Sequence, residues 1–237
     1  MSYFLKNFLR TVTPFPLRVL LGRMRITHGL VGIFGGISAG GFRAYISFWV
    51  KAHRWQQVHV GAFSIVNRGT QFHSNDEGDE KRILIGEYCH IGQNCFFSAG
   101  ESILIDSHSI IGASCNLLAA GHIYDDPTQT YGTAKVVSYG KMRIGPNVWI
   151  GAGCTIVGNV EVGFGSIIAA GSILRTSLPP LSMAAGNPAR IVKLFDWKSQ
   201  SWVRLSGNEL LLSEKLVNHL AMIPNEAHYL ENLKYRT

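Results

Sequence analysis

Apolar side chains return at every sixth residue through the middle of the chain. They fall at Ile85, Ile91 and Phe97, then after a two-residue shift at Ile105, Ile111 and Leu117, and after a longer gap at Ile144, Ile150, Ile156, Val162, Ile168 and Leu174. The next position is glycine in half of these units: Gly86, Gly92, Gly112, Gly145, Gly151 and Gly163. A helix needs apolar residues every three to four positions, and a half-buried strand alternates at every second one. Short strands joined by tight turns meet the six-residue period, with glycine expected to supply the positive φ of a turn. Stacked as coils, such strands bond to the coils above and below at about 4.8 Å.

The fifth position of each unit is an independent check. It holds Cys89, Cys95, Ser109, Cys115, Gly121, Cys154, Ser166 and Ser172, nearly all small, and all four cysteines share this phase. That is a packing pattern in which small residues let a coil close inward. Disulfides or a zinc site would need CxxC-like spacings that the sequence lacks.

The units Ile91-Gly-Gln-Asn-Cys-Phe, Ile111-Gly-Ala-Ser-Cys-Asn and Ile150-Gly-Ala-Gly-Cys-Thr resemble the hexapeptide repeat of left-handed parallel β-helix acyltransferases, over roughly Ile83 to Val192. The resemblance implies an all-β main domain built as a left-handed parallel β-helix, with N-terminal and C-terminal helical segments. The expected division is residues 1–57 as a basic, apolar, partly helical segment, 58–195 as the β-helix with a loop excursion over 123–142, and 196–237 as a helical extension. Ser206-Gly-Asn-Glu209 reads as a capping box before a helix over Leu210 to Ile223, which Pro224 ends. A second helix is expected over Glu226 to Lys234. Both would cover the open edges of the last coil.

Charge changes the picture at the N-terminus. The net charge of +7 is uneven: no Asp or Glu precedes Asp76, whereas nine Lys or Arg do. Such a segment suits an anionic partner. No nucleic-acid motif accompanies it, while Phe4, Leu5, Phe8 and Leu9 interleaved with Lys6, Arg10 and Arg18 suit a bilayer surface or an amphipathic helix packed on the domain. The uncharged run Ile26 to Phe42 is short for a span and broken by six glycines. With no secretory cleavage pattern, the expected location is the cytoplasm, with peripheral contact at the inner face of the membrane.

The chemistry-bearing positions cluster where the repeat stops. His122 takes the outward sixth position of the unit beginning at Leu117, and a polar stretch with Asp125, Asp126, Pro127 and Gly132 follows. In the sugar O-acetyltransferases that the chain resembles, a Gly-His pair at the foot of an extended loop holds the catalytic base, and Gly121-His122 matches it. Imidazole suits the task because a hydroxyl must lose its proton as it attacks a thioester. The motif Asn147-Val148-Trp149-Ile150-Gly151 resembles the family's own, which assigns the oxyanion donor to the backbone amide of Ala152 and sets Trp149 beside the acceptor. Where relatives carry an acceptor-binding asparagine this chain has Ser98, and Asn116 is a candidate substitute.

The segment Pro179-Pro180 through Gly186-Asn187-Pro188-Ala189-Arg190 resembles the family's closing signature, in which the paired prolines leave the prism. It implies acetyl-CoA as co-substrate and no metal. The small residues Gly151, Ala152, Ala169 and Ala170 would line the pantetheine groove, and Arg175, Arg190 and Lys193 would meet the phosphates. It also implies a homotrimer whose active site lies between subunits.

The expectation is therefore an acetyl-CoA-dependent O-acetyltransferase acting on a sugar or glycan-precursor hydroxyl. Within the same fold the alternatives are an N-acyltransferase of a nucleotide-linked amino sugar and an antibiotic-modifying acetyltransferase. A γ-type carbonic anhydrase would need a close histidine pair plus a third, and His90, His108 and His122 lack that spacing. A non-catalytic β-helix scaffold is the remaining alternative.

Overall fold

A computed structural model describes residues 44–47, 49–74, 78, 80–205 and 209–233. The N-terminal basic segment, most of residues 1–57 and the expected capping box at Ser206 lie wholly or largely outside the described residues.

The fold is a left-handed parallel β-helix. Each coil lays one short strand on each of three faces. The first face stacks Tyr45–Ile46, Ile65–Val66, His90–Ile91, Ile110–Ile111, Trp149–Ile150 and Ile167–Ile168 in parallel register. The second face stacks Lys51–Ala52, Gln71–Ser74, Phe96–Ala99, Asn116–Leu118, Thr155–Val157 and Ile173–Leu174. The third runs from Val58–Val60 through Ile83–Ile85, Ser102–Ile105 and Lys141–Ile144 to Glu161–Val162. Every apolar residue of the six-residue period is buried, including Ile85, Phe97, Ile111, Leu117, Ile150 and Ile168.

The stack starts earlier than the boundary expected after residue 57. Ile46 and Ala52 are already buried in its first coil. The six-residue spacing persists there, at Ile46, Ala52 and Val58 and again at Val60, Val66 and Phe72, and the insertion between Ser74 and Ile83 interrupts it.

Glycine at the repeat positions serves close approach rather than positive φ. A Cβ on Gly151 would stand 2.5 Å from the Ala170 nitrogen, and one on Gly112 would stand 2.5 Å from the Ala152 nitrogen. The positive-φ turn residues are instead Tyr88, Asn94, His108, Ser114 and Asn147, and Gly153, Gly165 and Gly171 in later coils.

The small fifth position has a second use. Ser109 Oγ donates to the Gly145 carbonyl (2.8 Å), Cys115 Sγ to that of Gly151 (3.1 Å) and Cys95 Sγ to that of Gly112 (3.2 Å). Each inward X–H thus satisfies a corner carbonyl of the next coil. The four cysteines are free and buried, and burial pushes the Cys89 thiol up to about 11. Gly121 does not belong to this interior row, because its residue lies on a hairpin outside the stack.

The chain does not leave the prism at the paired prolines. Leu178 still bridges to Val162, and the Pro179 carbonyl accepts from Ser166 Oγ (3.0 Å). Ser182–Gly186 then joins the first face, and Ala189–Asp196 and Ser201–Arg204 continue it as antiparallel strands. The expected boundary at 195/196 therefore falls inside a strand. Helices α1 (Glu209–Met222) and α2 (Glu226–Glu231) follow. His219 of α1 is buried and its Nε2 donates to the Pro180 carbonyl (2.8 Å). Arg143 pairs with Asp106 (2.6 Å), Glu161 (3.0 Å) and, on α2, Glu226 (2.8 Å).

Candidate active site

His122 ends a strand, Ala120–His122, that leaves the corner between the second and third faces. It pairs antiparallel with Val136–Ser138. The excursion is thus a β-hairpin, and Lys141 and Met142, expected inside the loop, already lie on the third face opposite Ser102 and Ile103. Alternating register carries the hairpin: Ala120 faces Ser138, Gly121 faces Val137 and His122 faces Val136.

The ring of His122 is exposed, and its Nδ1 lies 3.0 Å from the carbonyl oxygen of Ala134. A carbonyl can only accept, so Nδ1 carries the proton and Nε2 is left with its lone pair outward. Tyr139 packs over the strand: a Cβ on Gly121 would stand 1.9 Å from the Tyr139 hydroxyl, so a larger residue there would displace the ring from this position. Gly121 is thereby explained by packing beside the histidine. Ala134 and Tyr139 were not candidates from sequence, since neither belongs to a repeat or a motif.

Asn116 and Ser98 both sit half-exposed on the second face, on neighbouring strands. Asn116 Nδ2 donates to Thr155 Oγ1 at 3.5 Å. Gly151, Ala152 and Gly153 form the corner between the first and second faces, and Ala169, Ala170 and Gly171 form the same corner one coil on. Ala152 and Ala170 are exposed there. Gly151 donates to Ile168 and Gly153 to Ala113, whereas the Ala152 amide donates to no acceptor among the described residues. Trp149 stands outward on the first face, 54% exposed.

The histidine and this corner occupy opposite edges of the second face. The strand Asn116–Leu118 runs from the corner at Ala113, which accepts from Gly153 of the next coil, to the start of the hairpin at Ala120. Within one chain the second face thus lies between the hairpin that carries His122 and the corner that carries Ala152.

The expected phosphate ligands gather near the end of the stack. Arg175 follows the last strand of the second face, and Arg190 lines a cavity of about 410 Å³ with Leu174, Leu178, Ala184, Leu205 and Leu216. Both are exposed. Lys193 pairs with Met183, in the outward row of the first face that also holds Trp149 and Ile167. Among the described residues no three His, Cys, Asp or Glu side chains group as a metal site. His90 stands on the first face, His108 at a corner and His122 on the hairpin.

Residues 141–176 match the family model described as bacterial transferase hexapeptide (six repeats). A yeast protein, YJL218W, provisionally named an acetyltransferase, is 32% identical over 111 residues, which cover 47% of this chain and 55% of that protein. A Staphylococcus aureus protein, SACOL2570, with the same provisional name, is 32% identical over 114 residues, 48% of this chain and 56% of the relative. The chain thus spans about half the length of the curated relatives it matches. Among solved structures, a variant of AntD, an N-acyltransferase from Bacillus cereus in complex with dTDP and coenzyme A, superposes with a TM-score of 0.55 at 22% identity, covering 74% of this chain and 88% of that one. That likeness concerns the fold.

Proposed function

The chain belongs to the bacterial transferase hexapeptide family, and from that premise we propose that it is an acetyl-CoA-dependent O-acetyltransferase acting on a hydroxyl of a sugar or glycan precursor. One observation carries the reading: His122 stands at the foot of a hairpin projecting from a rigid stack, with Nδ1 committed to Ala134 and Nε2 free as a base. The acetyltransferase names of the relatives support the reaction class.

In the proposed reaction the acceptor hydroxyl oxygen attacks the thioester carbon while Nε2 takes its proton. The oxygen that becomes negative accepts from the Ala152 amide. Collapse reforms the carbonyl, breaks the carbon–sulfur bond and returns the proton from His122 to the departing thiolate. Ser98 and Asn116 face the acceptor, Trp149 borders it, and the corner of Gly151, Ala169 and Ala170 leaves room for the pantetheine arm. Arg175, Arg190 and Lys193 supply positive charge for the phosphates.

With the second face between His122 and Ala152 in one chain, the base is proposed to serve the corner of a neighbouring copy in a homotrimer. The outward residues Tyr45, Ile65 and Ile110, each more than 40% exposed, supply apolar surface for such packing. Among the described residues no helix is long and apolar enough to cross a membrane. The basic segment before residue 44 is proposed to rest on an anionic lipid surface at the cytoplasmic face, and its test is cosedimentation with anionic liposomes at low salt.

Subunit mixing tests the shared site. His122→Ala and Ala152→Trp chains are each expected to be inactive alone, and co-refolded mixtures should regain transfer at sites formed from one intact half of each. Transfer by either variant alone would overturn the assignment. Acceptor panels of matched sugars and amino sugars test the atom acetylated: products labelled only on nitrogen would replace O-transfer by the N-acyl reading.

A further inference from the structure

The antiparallel extension of the first face builds a feature that shares Trp149 with the proposed transfer site and is otherwise made of other residues. Where Ala189–Asp196 and Ser201–Arg204 fold back beside α2, a surface bowl of about 560 Å³ opens next to Trp149. This lies within the range of about 300–1,000 Å³ for small-molecule sites.

Its walls are aromatic and steeply inclined. Phe195 meets Trp197 edge to face (centroids 6.0 Å, 68°) and Trp202 likewise (5.4 Å, 70°), while Trp197 tilts 59° against Tyr229 at 6.5 Å. Trp149 forms the side nearest the stack. Tyr229 is held in place by its hydroxyl on Asn147 Nδ2 and by its ring on Phe164 (4.7 Å), and burial pushes its phenol above the ordinary range, so it stays neutral.

Apart from the Tyr229 hydroxyl and the indole N–H groups, the polar lining is amide: Asn147, Gln200 and Asn232 contribute, and among the described residues no Asp, Glu, Lys, Arg or His lines the bowl. Each amide directs an N–H to the protein: Asn147 to Tyr229, Gln200 to the Trp197 carbonyl (2.6 Å) and Asn232 to the His228 carbonyl (2.8 Å). Their carbonyl oxygens have no partner among the described residues. The bowl therefore offers electron-rich ring faces and hydrogen-bond acceptors, without charge.

A ligand matching this carries weakly positive C–H faces, donating O–H groups and no net charge. A planar base would prefer parallel walls, whereas a puckered ring meets inclined ones. We propose that this bowl is a glycan subsite, holding one neutral pyranose of an oligomeric acceptor outside the transfer site. Its biological use rests on the acceptor being a glycan, as proposed above, but binding itself requires no transfer.

The test uses the full-length protein with neutral gluco-oligosaccharides of four residues, β1,4- and α1,4-linked, and with thymidine and adenosine as planar controls. Binding is read by ligand-observed saturation-transfer NMR and by tryptophan fluorescence. At least one oligosaccharide is expected to bind saturably, at least tenfold more weakly to Trp202→Ala and to Trp197→Ala. Coenzyme A retention by those variants, measured on immobilised coenzyme A, should be unchanged. His122→Ala should lose transfer and keep oligosaccharide binding, so the two readings fail separately. Three results would overturn the subsite: no neutral oligosaccharide bound by the unsubstituted protein, nucleosides bound in their place, or Trp197 and Trp202 fluorescence shielded from acrylamide by self-assembly alone.

Discussion

The imidazole of His122 is tied across its hairpin to the carbonyl of Ala134, with Nδ1 donating over 3.0 Å. The bond fixes the tautomer without involving another side chain. It also couples the base to hairpin geometry, because Ile123 next to it donates to the Lys135 carbonyl at 3.0 Å. An asparagine at position 122 can place Nδ2 where Nδ1 stands and keep the tether, yet it has no basic nitrogen. His122→Asn is expected to keep the melting temperature and coenzyme A retention and to lose about 10²- to 10⁴-fold in transfer rate, as His122→Ala does. A His122→Asn enzyme with near-native turnover would show that the residue orients the hairpin rather than moving a proton.

Corner glycines set a steric limit on the stack. Gly151→Ala would drive a Cβ to 2.5 Å from the backbone of Ala170, where no flexible side chain can yield. The expected cost is about 1–3 kcal/mol or more, read as a lowered denaturant midpoint. Gly132, on the hairpin tip, has nothing within 4 Å of a built Cβ, so Gly132→Ala is the neutral control. Equal midpoints for the two variants would contradict the close-approach account.

The repeat was legible because successive coils place chemically similar residues at one position. Ile111, Ile150 and Ile168 sit directly above one another, and the sequence must repeat to fill that column. What lay outside the column was hidden. Ala134 and Tyr139 reach His122 and Gly121 through hairpin register, which carries no motif. The wall of the aromatic bowl comes from Trp149, Phe195, Trp202 and Tyr229, joined only when the chain turns back antiparallel after Gly186. The repeat glycines were found, but positive φ was the wrong reason for them. A turn glycine and a close-approach glycine look alike in sequence, and only the coil above distinguishes them.

Helix α2 is held by few groups, and Glu226 on Arg143 is one of them. Arg143 keeps Asp106 and Glu161 if Glu226 is neutralised, so the stack itself should tolerate the change. Both partners are about a third exposed, and solvent screening holds the pair to about 1 kcal/mol or less. Glu226→Gln is expected to leave the global melting temperature within a few degrees while amide exchange accelerates across Glu226–Glu231. High salt should produce the same local loosening in the unsubstituted protein. Unchanged exchange in α2 in both conditions would show that Tyr229 alone docks the helix.

Three imidazoles make the stack sensitive to acid. Burial holds His59 below its ordinary value of 6.5, with Lys81 adding to the effect; burial and then His53 do the same at His73; burial does so at His108 against the opposing charge of Glu87. A histidine whose folded pKa is depressed binds its proton more readily when unfolded, so the stability it supports is present above pH 6.5 and drains away as pH falls below it. Asp106 works in the opposite sense, since burial raises its carboxyl and folding there favours the proton. Its contribution belongs to the carboxylate range at lower pH. The melting temperature should therefore be level above about pH 7 and fall from about pH 6.5 towards 5. His108 stacks on Tyr88 at 5.2 Å in the same positive-φ corner position, φ 66° against 55°, so His108→Tyr should preserve the ladder while removing one titrating group. Its acid decline should be shallower than that of the unsubstituted protein. A decline of unchanged slope would mean that the His108 proton is not part of the acid response.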